Sequence, residues 1–152
     1  MTAIGVETTA RAAGGEDPGR FDWREAWYPV AYVRDLPQHQ PTAFTLLGED
    51  LVIWWDGQQW RAFADRCPHR LARLSEGRIA EDGLLECPYH GWAFHGDGTC
   101  DRIPQQVAGG TAHLSPRACA RAYATATGQG MLFVYGGDRE RAQRVPLPLV
   151  EI

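Results

Sequence analysis

Two short stretches, "CPHR" at 67–70 and "CPYH" at 87–90, restrict this chain more than anything else in it. Each joins one cysteine to one histidine: Cys67 to His69 as C-x-H, and Cys87 to His90 as C-x-x-H. Proline, glycine and aromatic residues around them favour tight turns over regular helix or strand. Turns of this kind can be held side by side only by a rigid scaffold, and the rest of the chain reads as strands.

"WYPVAYV" (27–33) is rich in β-formers, and "TAFTLLG" (42–48) reads as a second strand. "DLVIWWDGQQWRAFA" sets two apolar runs around Asp-Gly, a hairpin signal. Trp54, Trp55 and Trp60 flank that turn and are expected in core and cross-strand packing. Residues 67–83 read mostly as loop, and "GLLE" as a short strand entering the second Pro/Gly loop. "WAFHGDGTCDRI" predicts a hairpin turning at Gly96 to Gly98, followed by a long connection, "PQQVAGGTAHLSP". "CARAYATATGQGMLFVYG" predicts two last strands around "GQG", and "RVPLPLVEI" an extended exit. The expected fold is all-β: a small antiparallel sandwich or barrel carrying a two-loop subdomain.

A chain of 152 residues fits one domain with a real core. Its 15 cations are all arginine, dispersed along the chain, and the net charge is -4. With no basic run, nucleic acid is not an expected partner. No apolar run is long enough for a membrane-spanning helix. Residues 1–20 are small, polar and Gly-rich, without the apolar core of a secretory signal, and read as a flexible tail. The expected domain is 21–145, with 146–152 as an exit segment leading to an absent catalytic domain. Four cysteines without an export signal point to metal ligation over disulfides, with the cytoplasm as the expected compartment. Peripheral membrane attachment is compatible with that.

The ligand order alternates: C-x-H, a gap of 17 residues, then C-x-x-H. Zinc fingers usually put two cysteines in one knuckle and two histidines in the other. One of each per loop suits a two-iron cluster with unlike irons, Cys67 and Cys87 on one, His69 and His90 on the other. Replacing two thiolates by neutral imidazoles removes negative charge and raises the reduction potential. It also makes the potential depend on pH. Pro68, Pro88 and Gly91 would hold the turns so that backbone N–H groups face sulfur. A structural zinc site, or four unrelated core residues, are the competing readings.

The stretches "WYPVAYVRDLP", "TLLGEDLVIWWD", "DRCPHRLARLSEGRI", "LECPYHGWAFHGDGTCDRIPQ" and "GMLFVY" resemble the Rieske family. The likeness runs from about Trp27 to Gly136 and is to the N-terminal Rieske domain of non-haem iron oxygenases. "CPHRLARLSEGRI" and "GTCDRIPQ" resemble the pheophorbide a oxygenase and chlorophyllide a oxygenase branch in particular. The resemblance implies a Rieske-type fold and a [2Fe-2S] cluster held by Cys67, His69, Cys87 and His90. Rieske proteins of cytochrome complexes carry a disulfide between the two loops. The matching positions here are Ala72 and Tyr89, which implies the oxygenase or ferredoxin type. Its potential would lie low in the range of roughly −150 to +300 mV.

Oxygenases of this family also need a mononuclear iron on two histidines and a carboxylate. His90 and His95 have a suitable H-x₄-H spacing, but His90 belongs to the cluster. His39 and His113 stand alone in loop-like sequence and read as solvated. The chain therefore reads as an electron-transfer module without its own oxygen-activating centre. The preferred reading is the Rieske domain of an O₂-dependent oxygenase, fed by a ferredoxin or reductase and passing single electrons to a mononuclear iron outside these residues. A stand-alone Rieske ferredoxin-type carrier is the alternative, and an iron–sulfur redox sensor a third. Arg70 and Arg73 either orient an acidic or iron-bearing partner or are simply solvated. Trp92 is expected under the cluster loop, and Cys100 and Cys119 as small buried residues. Within the branch the substrates are chlorophyll-derived tetrapyrroles, and no residue here selects one.

Overall fold

The computed structural model describes residues 20–151; the tail expected at residues 1–20 lies, but for Arg20, outside the described residues. Strands dominate, in the order β1 (Trp27–Tyr32), β2 (Thr42–Leu46), β3 (Glu49–Trp55), β4 (Trp60–Ala64), β5 (Arg78–Ile79) and β6 (Leu85–Glu86). They continue as β7 (Ala93–Phe94), β8 (Cys100–Arg102), β9 (Ala122–Tyr123), β10 (Thr125–Gly128) and β11 (Met131–Tyr135). A one-turn helix, α1 (Arg139–Ala142), follows, capped by the Asp138 carboxylate, which accepts the Glu140 N–H at 2.9 Å. The strands form three sheets: β1-β11-β10, β2-β3-β4-β9 and β5-β6-β7-β8, all antiparallel.

The second sheet is central because both of its faces are covered. Side chains alternate across a strand, so Leu51 and Ile53 pack with Leu132 and Val134 of β11 and with Val30 of β1. Val52, Trp54 and Phe63 face the other way, against Leu85, Phe94 and Cys100 of the third sheet. Burial on both faces explains why "LVIWW" is a continuous apolar run and not an alternating one. Trp54 is fully buried edge-on to Phe63, with ring centroids 5.3 Å apart. Trp60 is buried too, and half-buried Trp55 rests against it at 5.1 Å. All three tryptophans thus pack as expected.

Three details depart from the sequence reading. The β3–β4 connection is a four-residue turn, 56–59, organised by the Asp56 carboxylate. That group accepts the N–H groups of Gln58 and Gln59 at 2.8 Å and the Arg61 guanidinium at 2.7 Å. Residues 67–83 are not all loop: a 3₁₀ turn at Leu74–Glu76 and strand β5 interrupt them, because Ile79 pairs with Leu85. The "GQG" hairpin is β10–β11 alone, while β9 pairs with β4. The chain changes sheets at Ala124.

The described part of the exit segment, 146–151, has no regular secondary structure and returns along the first sheet. The Trp27 indole N–H donates to the Val145 carbonyl at 2.7 Å. The Gln129 carboxamide donates to the Val150 carbonyl at 2.6 Å and accepts the Val150 N–H at 3.0 Å. No described helix is long and apolar enough to cross a membrane.

Leu85 is fully buried where the central and third sheets meet. Leu85→Ala should cost about 2–5 kcal/mol in urea unfolding, the usual range for such a truncation in a packed core. A loss below about 1 kcal/mol would mean that the two sheets are held together elsewhere.

Candidate metal centre

The third sheet exists to carry two loops. The second loop, 87–92, closes the β6–β7 hairpin, where Glu86 pairs with Ala93. The first, 67–72, follows β4 and is closed in the same manner. Cys67 N–H donates to the Ala72 carbonyl at 2.8 Å, as Cys87 N–H donates to the Trp92 carbonyl at 2.8 Å. Leu71 N–H reaches the Cys67 carbonyl at 2.7 Å, and Gly91 N–H the Cys87 carbonyl at 3.3 Å. The two hexapeptides, C-P-H-R-L-A and C-P-Y-H-G-W, are thus one turn built twice.

The fifth residue of each turn has a left-handed backbone, with φ +73° at Gly91 and +61° at Leu71. Glycine adopts this conformation freely; a leucine pays roughly 1–2 kcal/mol. Gly91 is also held by space, since a Cβ there would meet the Pro104 ring at 3.2 Å. Leu71 points outward and is 66% exposed, so its side chain meets no such wall.

Asp65 anchors the first loop. Its fully buried carboxylate accepts the Ser75 N–H at 2.7 Å, the Ser75 hydroxyl at 2.6 Å and Arg73 Nη2 at 3.2 Å. Arg73 is therefore tied to the loop's own base through one guanidinium nitrogen while its side chain stays 49% exposed. Arg70 remains exposed. The second loop is braced from the long connection, where Gln105 Nε2 donates to the His90 carbonyl at 2.7 Å.

The four candidate ligands come together as two pairs of opposite character. Cys67 and Cys87 lie side by side in the core at 0% and 5% exposure. His69 and His90 are exposed at the tip, with ring centroids 5.0 Å apart. Burial pushes the Cys67 thiol up to about 12, and the neighbouring Cys87 adds to this. Backbone N–H groups of His69 and Arg70 aimed at the sulfur oppose it. Such a thiol gives up its proton at neutral pH only to a cation that takes the proton's place. Desolvation, then the nearby His90 and Arg70, hold the His69 imidazole below its ordinary value, toward the neutral form that binds metal. Among the described residues, no three His, Cys, Asp or Glu side chains converge on one ion. Two protein ligands per metal, one pair of sulfur and one of nitrogen, match two bridged irons better than a single zinc ion. The donor set fits a two-iron cluster.

Other sequence-predicted residues separate from the site. His95 pairs with Asp101 at 3.1 Å, and His39 is exposed. His113 is not solvated as expected: it is half-buried, with Nδ1 2.7 Å from Gln106 Nε2. Cys100 is buried as expected, but Cys119 is exposed, because the chain alternates there between buried Ala118 and Ala120. None of the four cysteines is in a disulfide. Trp92 packs against the core around Cys67 and Cys87, as expected, and its ring also stacks on His69 at 4.6 Å. Asp65, Leu71 and Gln105 went unnoticed in the sequence. The Asp two residues before the first cysteine and the Gln after "IP" were the available signals.

Fold and site together define a β-scaffolded iron–sulfur redox domain. The chain matches the model of the Rieske [2Fe-2S] domain over residues 26–124 and belongs to that family, whose cofactor is a Rieske-type [2Fe-2S] cluster. It is 51% identical to pheophorbide a oxygenase of Arabidopsis thaliana over 140 residues, 88% of this chain and 26% of that protein. It is 34% identical to chlorophyllide a oxygenase of Chlamydomonas reinhardtii over 81% of this chain and 18% of that one. The solved structure of apo dicamba monooxygenase superposes with a TM-score of 0.71 at 30% identity, covering 78% of this chain and 35% of its own. The resemblance to the pheophorbide a oxygenase branch is borne out, and the chain spans about a quarter of that relative's length.

The two turns respond differently to substitution. Gly91→Ala should lower stability by about 1–2 kcal/mol and reduce the iron bound, whereas Leu71→Gly should retain full iron and raise the melting temperature. Equal behaviour of the two variants in calorimetry and iron analysis would refute the distinction. Asp65→Ala strands two donors and a guanidinium, and should cost about 2–3 kcal/mol in urea unfolding.

Proposed function

We propose that this domain is the electron-entry module of a Rieske-type oxygenase, with Cys67 and Cys87 as ligands of one iron and His69 and His90 of the other. The observation that carries this is the pairing itself, two thiols buried side by side beneath two imidazoles at the surface. When bound, the cluster supplies reversible one-electron chemistry. The residues do the rest. The buried thiols and the wall of Leu74, Leu85 and Phe94 keep water from the sulfur side. The backbone N–H groups of His69 and Arg70 stabilise negative charge on Cys67. The exposed imidazoles give the shortest route to a partner.

The acceptor in this reading is a mononuclear iron in an oxygenase domain outside these residues, and the donor a ferredoxin or reductase. Kinship to pheophorbide a and chlorophyllide a oxygenases supports an O₂-dependent oxygenation of a tetrapyrrole. The setting is a reducing aqueous compartment, cytoplasmic or, as in those plant and algal relatives, chloroplastic. Residues 21–145 are the redox domain, and 146–151 run back along its first sheet.

Purified protein should be red-brown, with iron and acid-labile sulfide in equal amounts and two nitrogen couplings in the spin signal of the reduced state. A colourless sample with stoichiometric zinc would rule the assignment out. His90→Cys should keep a cluster and move its potential to a more negative value, because a thiolate adds negative charge that an imidazole does not. An unchanged potential would remove His90 from the ligand set.

A further inference from the structure

The two loops share one turn but not one sixth residue, and this gives the two histidines different surroundings. The sixth position is Ala72 in the first loop and Trp92 in the second. The Trp92 indole crosses to the other loop and lies flat on the His69 imidazole, with ring centroids 4.6 Å apart and an interplanar angle of 6°. Ala72 is too small to do the same for His90. Among the described residues, the ring contacts of His90 are edge-on, with His69 at 66° and with exposed Tyr89 at 62°.

From this asymmetry we propose that Trp92 is a positioning residue that fixes the ring plane of His69, and thereby the direction of its bond to iron, while His90 has no stacked ring among the described residues. The proposal rests on the ligand roles given above. An imidazole turns about a broad, two-fold side-chain torsion, so an exposed one needs an outside contact to hold its plane. His69 is exposed, and the flat face of Trp92 is that contact. The indole cannot easily swing away, since it is half-buried against the core formed by Cys67, Leu74 and Cys87. Its buried Nε1–H meets no protein acceptor, so ring stacking and not a hydrogen bond defines its contact with His69. For His90 the hold is different: Gln105 donates to its carbonyl at 2.7 Å, a contact to the backbone and not to the ring.

The test compares the full chain with Trp92→Leu and Trp92→Phe by pulsed electron paramagnetic resonance of the reduced protein, which reads each nitrogen ligand separately. Wild type should give two nitrogen couplings. Trp92→Leu should shift and broaden one of them and leave the other in place; Trp92→Phe, which keeps a flat face, should restore the wild-type pattern. If Trp92→Leu does not load iron, Trp92→Met, with similar reach and no planar face, carries the same expectation. A mere packing or shielding role would lower iron content and stability without singling out one nitrogen. Unchanged couplings in the Leu or Met variant, or equal changes in both, would overturn the proposal. Absence of two nitrogen couplings in the wild type would instead overturn the ligand roles, so the two failures are told apart.

Discussion

Everything in this domain depends on two sulfur atoms placed together where water does not reach. Cys67 and Cys87 sit in the same packed core as Trp54, Phe63 and Phe94. Burying one thiolate is costly, and burying two side by side more so, unless a cation lies between them and the pair is hydrogen-bonded. The scaffold holds the two loops that carry them from three directions. The third sheet and the central sheet pack face to face beneath the thiols, Asp65 ties down the first loop, and Gln105 braces the second. The two imidazoles lack this enclosure and stand at the surface.

Building the same turn twice is an economical way to present two such half-sites, but the copies are not interchangeable. The histidine is third in one hexapeptide and fourth in the other, so the near-symmetric backbones deliver side chains at different angles. The left-handed position is a strained Leu71 in one and an enclosed Gly91 in the other. Strain of this kind persists only where the surroundings over-determine the backbone; here the closing hydrogen bonds of Cys67 and the Asp65 anchor do so. Leu71 and Tyr89 are left outward beside the histidines, at 66% and 71% exposure, giving the tip a mixed apolar and imidazole surface.

The Rieske family was legible because cysteine and histidine paired in Pro/Gly turns have few other uses, and because the alternation of the pairs separates a two-iron site from a zinc knuckle. The strands β1 to β4 were legible from β-formers and the Asp-Gly turn. Errors fell where a residue's setting depends on how irregular segments fold, which carries no periodic signal. The Asp65 contact of half-exposed Arg73 has no local signal, because it depends on Asp65 being buried. His113 looked solvated until Gln106 folded back onto it, and Cys119 looked buried although its neighbours, not it, face inward. The switch of the chain from β9 to β10 could not be read from "ARAYATATG", since either pairing satisfies the same local pattern.

Residue type and spacing alone pointed to the chemistry: two cysteines and two histidines paired in Pro/Gly turns, and an all-β scaffold to carry them. These are properties of covalent order and local propensity, which act over a few residues. The tertiary structure decided which of those side chains are dry, which are wet, and what touches each. It buried the thiols, exposed the imidazoles, gave Arg73 to Asp65 and laid Trp92 on His69. Burial and long-range contact arise only when distant segments pack together, and no local pattern encodes which segments those will be.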